Sequence, residues 1–433
     1  MQYFQPILGL LTFVALAWAF SAHRKSVSWR PVIWGVGLQL AFAALVLLPD
    51  VGKDVFEAVD VGVRKLVSFS EAGSEFVFQT IESHYVYLVG ENGEPVQTLV
   101  QGGIAPAMKT IAFWVLPTVM FFSALMALLY HYGVMQAIVK VVGRGMQKTL
   151  GTSGAESLSA ASNIFVGQTE APLVVRPFLA DMTMSELHAV MTAGFATVAG
   201  GVMAIYVGLV PFEGIAGHLV TASILSAPAA LAIAKLLYPE VGIPVTLGKV
   251  ELSKEKMDVN GLDALTRGTL EGLKLFLNIV AMLLVFFAMV QMVNWILGGI
   301  GSIFDIELSL ELIFGYIFAP FAWLMGIPWE EAPTVGMLLG KKIALTELLA
   351  FIDFGNIQQG LVEGVKPLSD RASVITSYAR CGFANFASIG IQIGGLSALA
   401  PERRSDLARL AMRAMIGGTI AAMMTGAVAG MFV

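Results

Sequence analysis

The chain has 433 residues, of which 57% are hydrophobic and 13% charged, against about 25% charged in an average soluble domain. A single water-soluble core stops growing near roughly 250–300 residues, so a cytosolic enzyme does not fit, and disorder is excluded by the same numbers. The net charge of −5 comes without a basic tail, and one cysteine, Cys381, allows no internal disulfide or thiolate cluster, so nucleic acid and thiolate-bound metal are not expected partners.

The chain reads as an all-α polytopic membrane protein. A full span needs about 20 mostly apolar residues. Eight stretches qualify: 4–22, 31–49, 111–131, 186–210, 217–237, 270–297, 372–397 and 407–431. The first lacks a basic region before it and reads as a span, not a cleaved signal peptide. Arg24, Lys25 and Arg30 follow it and belong on the cytoplasmic side by the positive-inside rule, which puts the N-terminus outside. Segment 50–108 carries Asp50, Asp54, Glu57, Asp60, Glu71, Glu75, Glu82, Glu91 and Glu94 against Lys53, Arg64 and Lys65, and fits the outer face. Lys140, Arg144 and Lys148 fall inside, as do Lys249, Lys254, Lys256 and Arg267, then Arg403, Arg404 and Arg409.

Two apolar stretches, 153–180 and 309–356, are interrupted by Gly, Pro and carboxylates. Eight crossings satisfy the charge pattern only if each of these enters and leaves by one side. They are expected to be re-entrant hairpins, the first from inside and the second from outside, and both chain termini then lie outside. The resulting organisation is 1–110 for N-terminal spans and an external segment, 111–238 for a first repeat, 239–268 for a cytoplasmic linker, and 269–433 for a second repeat.

The repeat rests on matched residues. Gly194-Phe195-Ala196-Thr197 aligns with Gly382-Phe383-Ala384-Asn385, and Thr169-Glu170 precedes the first as Thr346-Glu347 precedes the second. Each half runs span, amphipathic piece, hairpin, span, span. The spans holding Gly194 and Gly382 run in opposite directions, so the repeat is inverted, as in many secondary transporters. Ser153-x-x-Glu156 and Thr183-x-x-Glu186 read as capping boxes opening the first hairpin and the span after it. Glu330 and Glu331 follow Pro328-Trp329 and read as interfacial residues.

A carboxylate in hydrocarbon costs at least roughly 2.5–3.5 kcal/mol and is a functional candidate by default. Glu170 lies in Asn163-Ile164-Phe165-Val166-Gly167-Gln168-Thr169-Glu170-Ala171-Pro172, where Gly167 and Pro172 break the helix around polar side chains. Such backbone must face protein or a watery cavity. Glu347 is its counterpart, with Lys341 and Lys342 near enough to neutralise it. Asn385 and Ser388, three residues apart, would share a helix face, and either could simply bond a neighbouring helix. A discontinuous span at 194–201 would offer carbonyls and the Thr197 hydroxyl, oxygen donors that suit a small cation such as Na⁺. Two tips and two broken spans, bearing carboxylates, amides and hydroxyls, suit a neutral, hydroxyl-rich solute.

At these residues the sequence resembles the concentrative nucleoside transporter family, through Asn163 to Pro177 and through Cys381-Gly382-Phe383-Ala384-Asn385 with Ser388. The resemblance is strong over about 105–433 and looser over the first two spans. It implies a homotrimer importing a nucleoside by symport with Na⁺, and for so compact a chain a bacterial inner membrane is the expected setting. It also implies that Gln168, Thr169 and Glu170 contact the nucleobase, that Glu347, Asn385 and Ser388 bind the ribose, and that Val202, Leu275 and Phe383 line the pocket. Na⁺ would be held by the carbonyls of Asn163, Val166, Thr197 and Val198 with the Thr197 hydroxyl. Proton coupling on the same fold, a passive nucleoside channel, and an intramembrane enzyme using Glu170 and Glu347 are the alternatives. The resemblance does not assign segment 50–108, where a short interfacial or extracellular helix is expected.

Overall fold

The computed structural model describes residues 4–78, 84–89, 95–100, 111–210, 212, 214–248 and 258–433. Lys249, Lys254, Lys256, Glu82, Glu91 and Glu94, used above for orientation, lie outside them. Apart from one pair of strands the described chain is helical. Helices α1 (Phe4–Ala19) and α2 (Trp29–Leu47) lead into α3 (Pro49–Phe78). Strands β1 (His84–Val89) and β2 (Pro95–Val100) then pair antiparallel, with His84 opposite Val100. The short helix expected in 50–108 is thus a 30-residue amphipathic helix followed by strands, and apart from that pair the described chain is all helical, as expected. Alternating β-branched and aromatic residues in His84–Val89 carry the strand signal.

From 111 onward two runs of helices follow one another. First come α4 (Thr118–His131), α5 (Val134–Leu150), α6 (Gly154–Ser162), a 3-10 stretch Ala171–Asp181, α7 (Met184–Ala196), α8 (Gly200–Leu209) and α9 (Ile215–Leu237). Then come α10 (Gly261–Gly301), α11 (Leu310–Leu324), α12 (Ala332–Ala344), α13 (Glu347–Gln358), α14 (Asp370–Arg380), α15 (Phe386–Leu399) and α16 (Arg404–Gly430). The stretch 309–356 is therefore not one hairpin. It opens with α11, and the helical pair proper is α12 and α13. The span expected at 372–397 is likewise broken, into α14 and α15.

Local chemistry accounts for these ends. Ser153 Oγ accepts from Glu156 N while the Glu156 carboxylate accepts from Ser153 N, and Thr183 and Glu186 do the same at α7. Both boxes satisfy amides that a helix start leaves unpaired. Pro172 and Pro177 remove donors from the 171–181 stretch and disfavour an α-helix there.

Six described segments are long and apolar enough to cross a membrane: 29–47, 112–131, 184–209, 215–237, 261–304 and 401–430. α1, α11 and α15 are apolar but shorter. α7, α9 and α16 form the buried centre. α16 approaches α7 closely because Gly418 lacks a side chain: a Cβ there would lie 2.5 Å from Phe195 Cβ. α10 packs on α4 in the same way through Gly268 and Gly272, where a Cβ would come 2.6 Å from Ser123 O and from Met120 Cα. Small residues at such crossings let van der Waals contact hold helices together where no water drives association. α10 otherwise leaves Leu270, Leu277, Leu284, Phe287 and Trp295 exposed.

Candidate functional site

The second tip is the two-residue gap between α12 and α13. Thr346 caps α13 by accepting from Leu349 N (3.3 Å). This places Glu347 in the first turn, where the positive end of the helix favours a carboxylate. Glu347 is buried. Its Oε1 accepts from the Tyr206 hydroxyl (3.0 Å) and its Oε2 from Asn385 Nδ2 (2.7 Å). A buried carboxylate is tolerated only when hydrogen bonds replace its water, and these two do so.

Asn385 is not inside a helix. Gly382 (φ +136°) ends α14, and Asn385 caps α15, its Oδ1 accepting from Ser388 N (2.8 Å). The expectation that Asn385 and Ser388 share a helix face is corrected: they meet as cap and third residue, and α15 begins between them. The Asn385 amide is thus engaged at both ends. Phe383 is buried in the same break. Neither Lys341 nor Lys342 makes a direct ion pair with Glu347 among the described residues. Lys341 pairs with Asp353 (2.6 Å) and Glu311 (2.8 Å), and Lys342 donates to Ala379 O (3.0 Å). Arg380, fully buried, stacks over Phe351 and Phe354 and donates to Ala350 O.

The first tip spans 163–170. Phe165 O accepts from Gly200 N (3.1 Å), and Ile164 O accepts from Ser223 Oγ (3.0 Å), so the tip lies against the gap between α7 and α8. Asn163, Thr197 and Val198 are fully buried and Val166 nearly so. Among the described residues no hydrogen bond reaches the carbonyls of Asn163, Val166, Thr197 or Val198. Asn163 Oδ1 is also buried without a partner. Buried acceptors are rarely left unpaired, and a group of them beside a broken helix fits a hard cation. The Thr197 hydroxyl donates to Ala193 O (2.8 Å), which leaves its lone pairs for an ion.

Thr169 Oγ1 donates to Glu170 Oε1 (2.9 Å), and Glu170, unlike Glu347, is exposed. Gln168 is buried, and its Oε1 accepts from Gln392 Nε2 (2.9 Å). Helix α15 therefore touches both tips: Asn385 at its start holds Glu347, and Gln392 holds Gln168. Seven residues at 1.5 Å each separate these contacts by about 10 Å. Val202 and Tyr206 lie one turn apart on α8, both buried. Leu275 lies half-buried on α10, packed against the main hydrophobic core. Tyr206 and Gln392 were not anticipated. Each is a polar group in an otherwise apolar helix, α8 and α15, and that was the available signal.

Residues 8–81 match the family described as Na+ dependent nucleoside transporter N-terminus, residues 112–213 the one described as nucleoside recognition, and residues 218–430 the Na+ dependent nucleoside transporter C-terminus. The chain is 42% identical to solute carrier family 28 member 3 of Rattus norvegicus and 39% identical to sodium/nucleoside cotransporter 1 of Homo sapiens, each over 98% of this chain. It spans 58% and 62% of those two proteins. An uncharacterized transporter of Haemophilus influenzae is 40% identical over 100% of this chain and 98% of its own length. Among solved structures, CNTnw in an inward-facing substrate-bound state superposes with a TM-score of 0.86 at 38% identity, covering 100% of this chain and 98% of that one. A double variant of CNTnw in an outward-facing state gives 0.88 at 39% identity with the same coverage. With full-length matches at this identity, and with both tips and both breaks in place, the chain belongs to the concentrative nucleoside transporter family.

Proposed function

We propose that the chain is a secondary active transporter that imports a nucleoside by symport with Na⁺. The observation that carries this reading is the Glu347 carboxylate, held by Tyr206 and Asn385 between the second tip and the broken α14–α15 span. A buried carboxylate so placed accepts hydrogen bonds from the paired hydroxyls of a ribose, joined by Asn385 and Ser388. Gln168, Thr169 and Glu170, about 10 Å along α15, meet the base, and Val202, Phe383 and Leu275 line the pocket. Na⁺ is the coupling ion, held by the acceptors of Asn163, Val166, Thr197 and Val198. Binding it organises the tip that bears Gln168, so ion and nucleoside raise each other's affinity reciprocally.

The architecture in this reading is eight spans and two re-entrant hairpins in an inverted repeat. The doubled element order from α4 to α16 supports it. Both termini lie outside a bacterial inner membrane. The exposed apolar face of α10 faces lipid and the other copies of a homotrimer. Energetically, a cation entering through about 100 mV contributes about 2.3 kcal/mol, and a tenfold Na⁺ gradient about 1.4 kcal/mol. One ion per nucleoside then supports accumulation on the order of 500-fold at the ideal limit.

The test is uptake of labelled nucleosides into proteoliposomes under imposed gradients. Uphill accumulation that follows inward Na⁺ is expected. Accumulation that follows a proton gradient instead would establish proton coupling, equilibration without accumulation a passive channel, and an altered solute mass an enzyme.

A further inference from the structure

Gln392 is almost fully buried on α15, yet it lies outside the residues expected to touch a nucleoside. Its Nε2 donates twice, to Met191 O on α7 (3.0 Å) and to Gln168 Oε1 (2.9 Å). The first partner fixes the sense of the second. A peptide carbonyl only accepts, so the Gln392 atom facing Met191 is the amide nitrogen. That nitrogen also faces Gln168, so the near atom of Gln168 is its oxygen. The Gln168 NH₂ group is left without a protein partner among the described residues, and it is not one of the sealed, unpartnered polar atoms of the core.

Gly194 makes room for this pair. A Cβ there would lie 2.6 Å from Gln392 Nε2 and 3.0 Å from Gln168 Cβ. The glycine of the first Gly-Phe-Ala triplet thus admits an amide from the other half of the chain.

We infer that Gln392 is a positioning residue that locks the Gln168 amide with its NH₂ toward the substrate, so that the site favours nucleobases presenting a carbonyl oxygen over those presenting an amine at the same edge. The inference rests on the reading of Gln168 as a base contact. A fixed donor gains a hydrogen bond to a keto edge and is left facing a donor by an amino edge. Uridine against cytidine, and inosine against adenosine, are pairs differing in this respect.

The test measures kcat/KM for each pair in proteoliposomes under a Na⁺ gradient. In Gln392→Leu the Gln168 amide is free to turn and accept from an amine, so the keto-to-amino ratio falls by about three- to tenfold in both pairs, with the Na⁺ dependence unchanged. Gly194→Ala, which displaces the pair from the opposite side, lowers the same ratio. Gln392→Met, close to glutamine in volume, gives the same result should the leucine variant fold poorly. Unchanged ratios in folded Gln392→Leu or Gln392→Met overturn the lock. Gln168→Leu separates the two levels. If it leaves uptake of all four nucleosides unaltered, the base-contact reading itself falls. If it impairs uptake while the Gln392 variants keep wild-type ratios, only the lock falls.

Discussion

At the second tip both oxygens of Glu347 have protein donors, and the amide that supplies one of them is itself engaged by Ser388. At the first tip the carbonyls of Asn163, Val166, Thr197 and Val198 accept nothing among the described residues, and Asn163 Oδ1 is buried without a donor. The two regions share a Thr-Glu pair, a helix break and a neighbouring broken span. They differ in who supplies the missing positive partner. In the second half it is the protein, through Tyr206 and Asn385. In the first half we propose that an ion takes that place. On the proposed reading, one helix plan used twice holds two unlike sites, because specificity lies in the few unsatisfied groups and not in the helix plan.

The largest effect is expected from breaking the completed tip. In Glu347→Gln only one end of the side chain accepts, and its NH₂ faces either the Tyr206 hydroxyl or Asn385 Nδ2, both of them donors in the native arrangement. Losing a charge-assisted bond and orphaning a buried donor together cost about 3–4 kcal/mol. Uridine uptake should fall by about a hundredfold or more, with the fold retained and the melting temperature lowered, because the lost bonds join protein groups. Normal uptake by that variant would remove Glu347 from the site.

Next in size is Gly382→Ala, which acts where the two breaks meet. Gly382 has φ +136°, and a Cβ would lie 2.7 Å from Ala196 O. Strain of about 1–3 kcal/mol is expected, read as a lower melting temperature in detergent. Because the contact joins α7 to the α14–α15 break, Na⁺ and nucleoside affinities should weaken together. Loss of one without the other would show that the two halves are not coupled through this contact.

Thr197→Ala probes the open tip alone. It removes a hydroxyl beside the unpaired carbonyls while the backbone bonds of α7 remain. The Na⁺ concentration for half-maximal uptake should rise by about tenfold, with nucleoside affinity at saturating Na⁺ nearly unchanged. An unaltered Na⁺ requirement would mean that the acceptors at 163–166 and 197–198 do not hold the ion.

Much of this comparison was legible in the sequence because its signals are local. Ser153 with Glu156 and Thr183 with Glu186 give capping boxes at three-residue spacing, and Gly and Pro mark the breaks. Contacts that join distant segments left no such trace. Glu156 has a complete local explanation as a cap, yet its carboxylate also meets the buried Lys235 ammonium at 2.7 Å. Lys342, five residues before Glu347 in the sequence, donates a hydrogen bond to Ala379 O of the distant α14. Asn385 looked like a helix-face residue because α15 begins one position after it, and a cap can be told from an interior residue only when the backbone turn is known. The order of elements could be read from periodicity, whereas the donors that complete each tip come from α8 and α15, far off in the chain.

The smallest effect is expected from Tyr206→Phe, which makes the second tip resemble the first by leaving one acceptor open. The Tyr206 ring stacks on Phe351, with centroids 4.0 Å apart and planes 8° from parallel, and phenylalanine keeps that contact. Only the hydroxyl at 3.0 Å from Glu347 Oε1 is removed, so folding should be unchanged. A hydrogen bond to a charged group is worth about 1.5–3 kcal/mol, but water entering the open site offsets part of it, since a hydroxyl has left a space its own size. The KM for uridine should therefore rise only about three- to fivefold, with the Na⁺ requirement as in wild type. If Tyr206→Phe matched Glu347→Gln in severity, the hydroxyl would be the group that makes a buried carboxylate tolerable, and the second tip would depend on its protein donors as strictly as the first is proposed to depend on its ion.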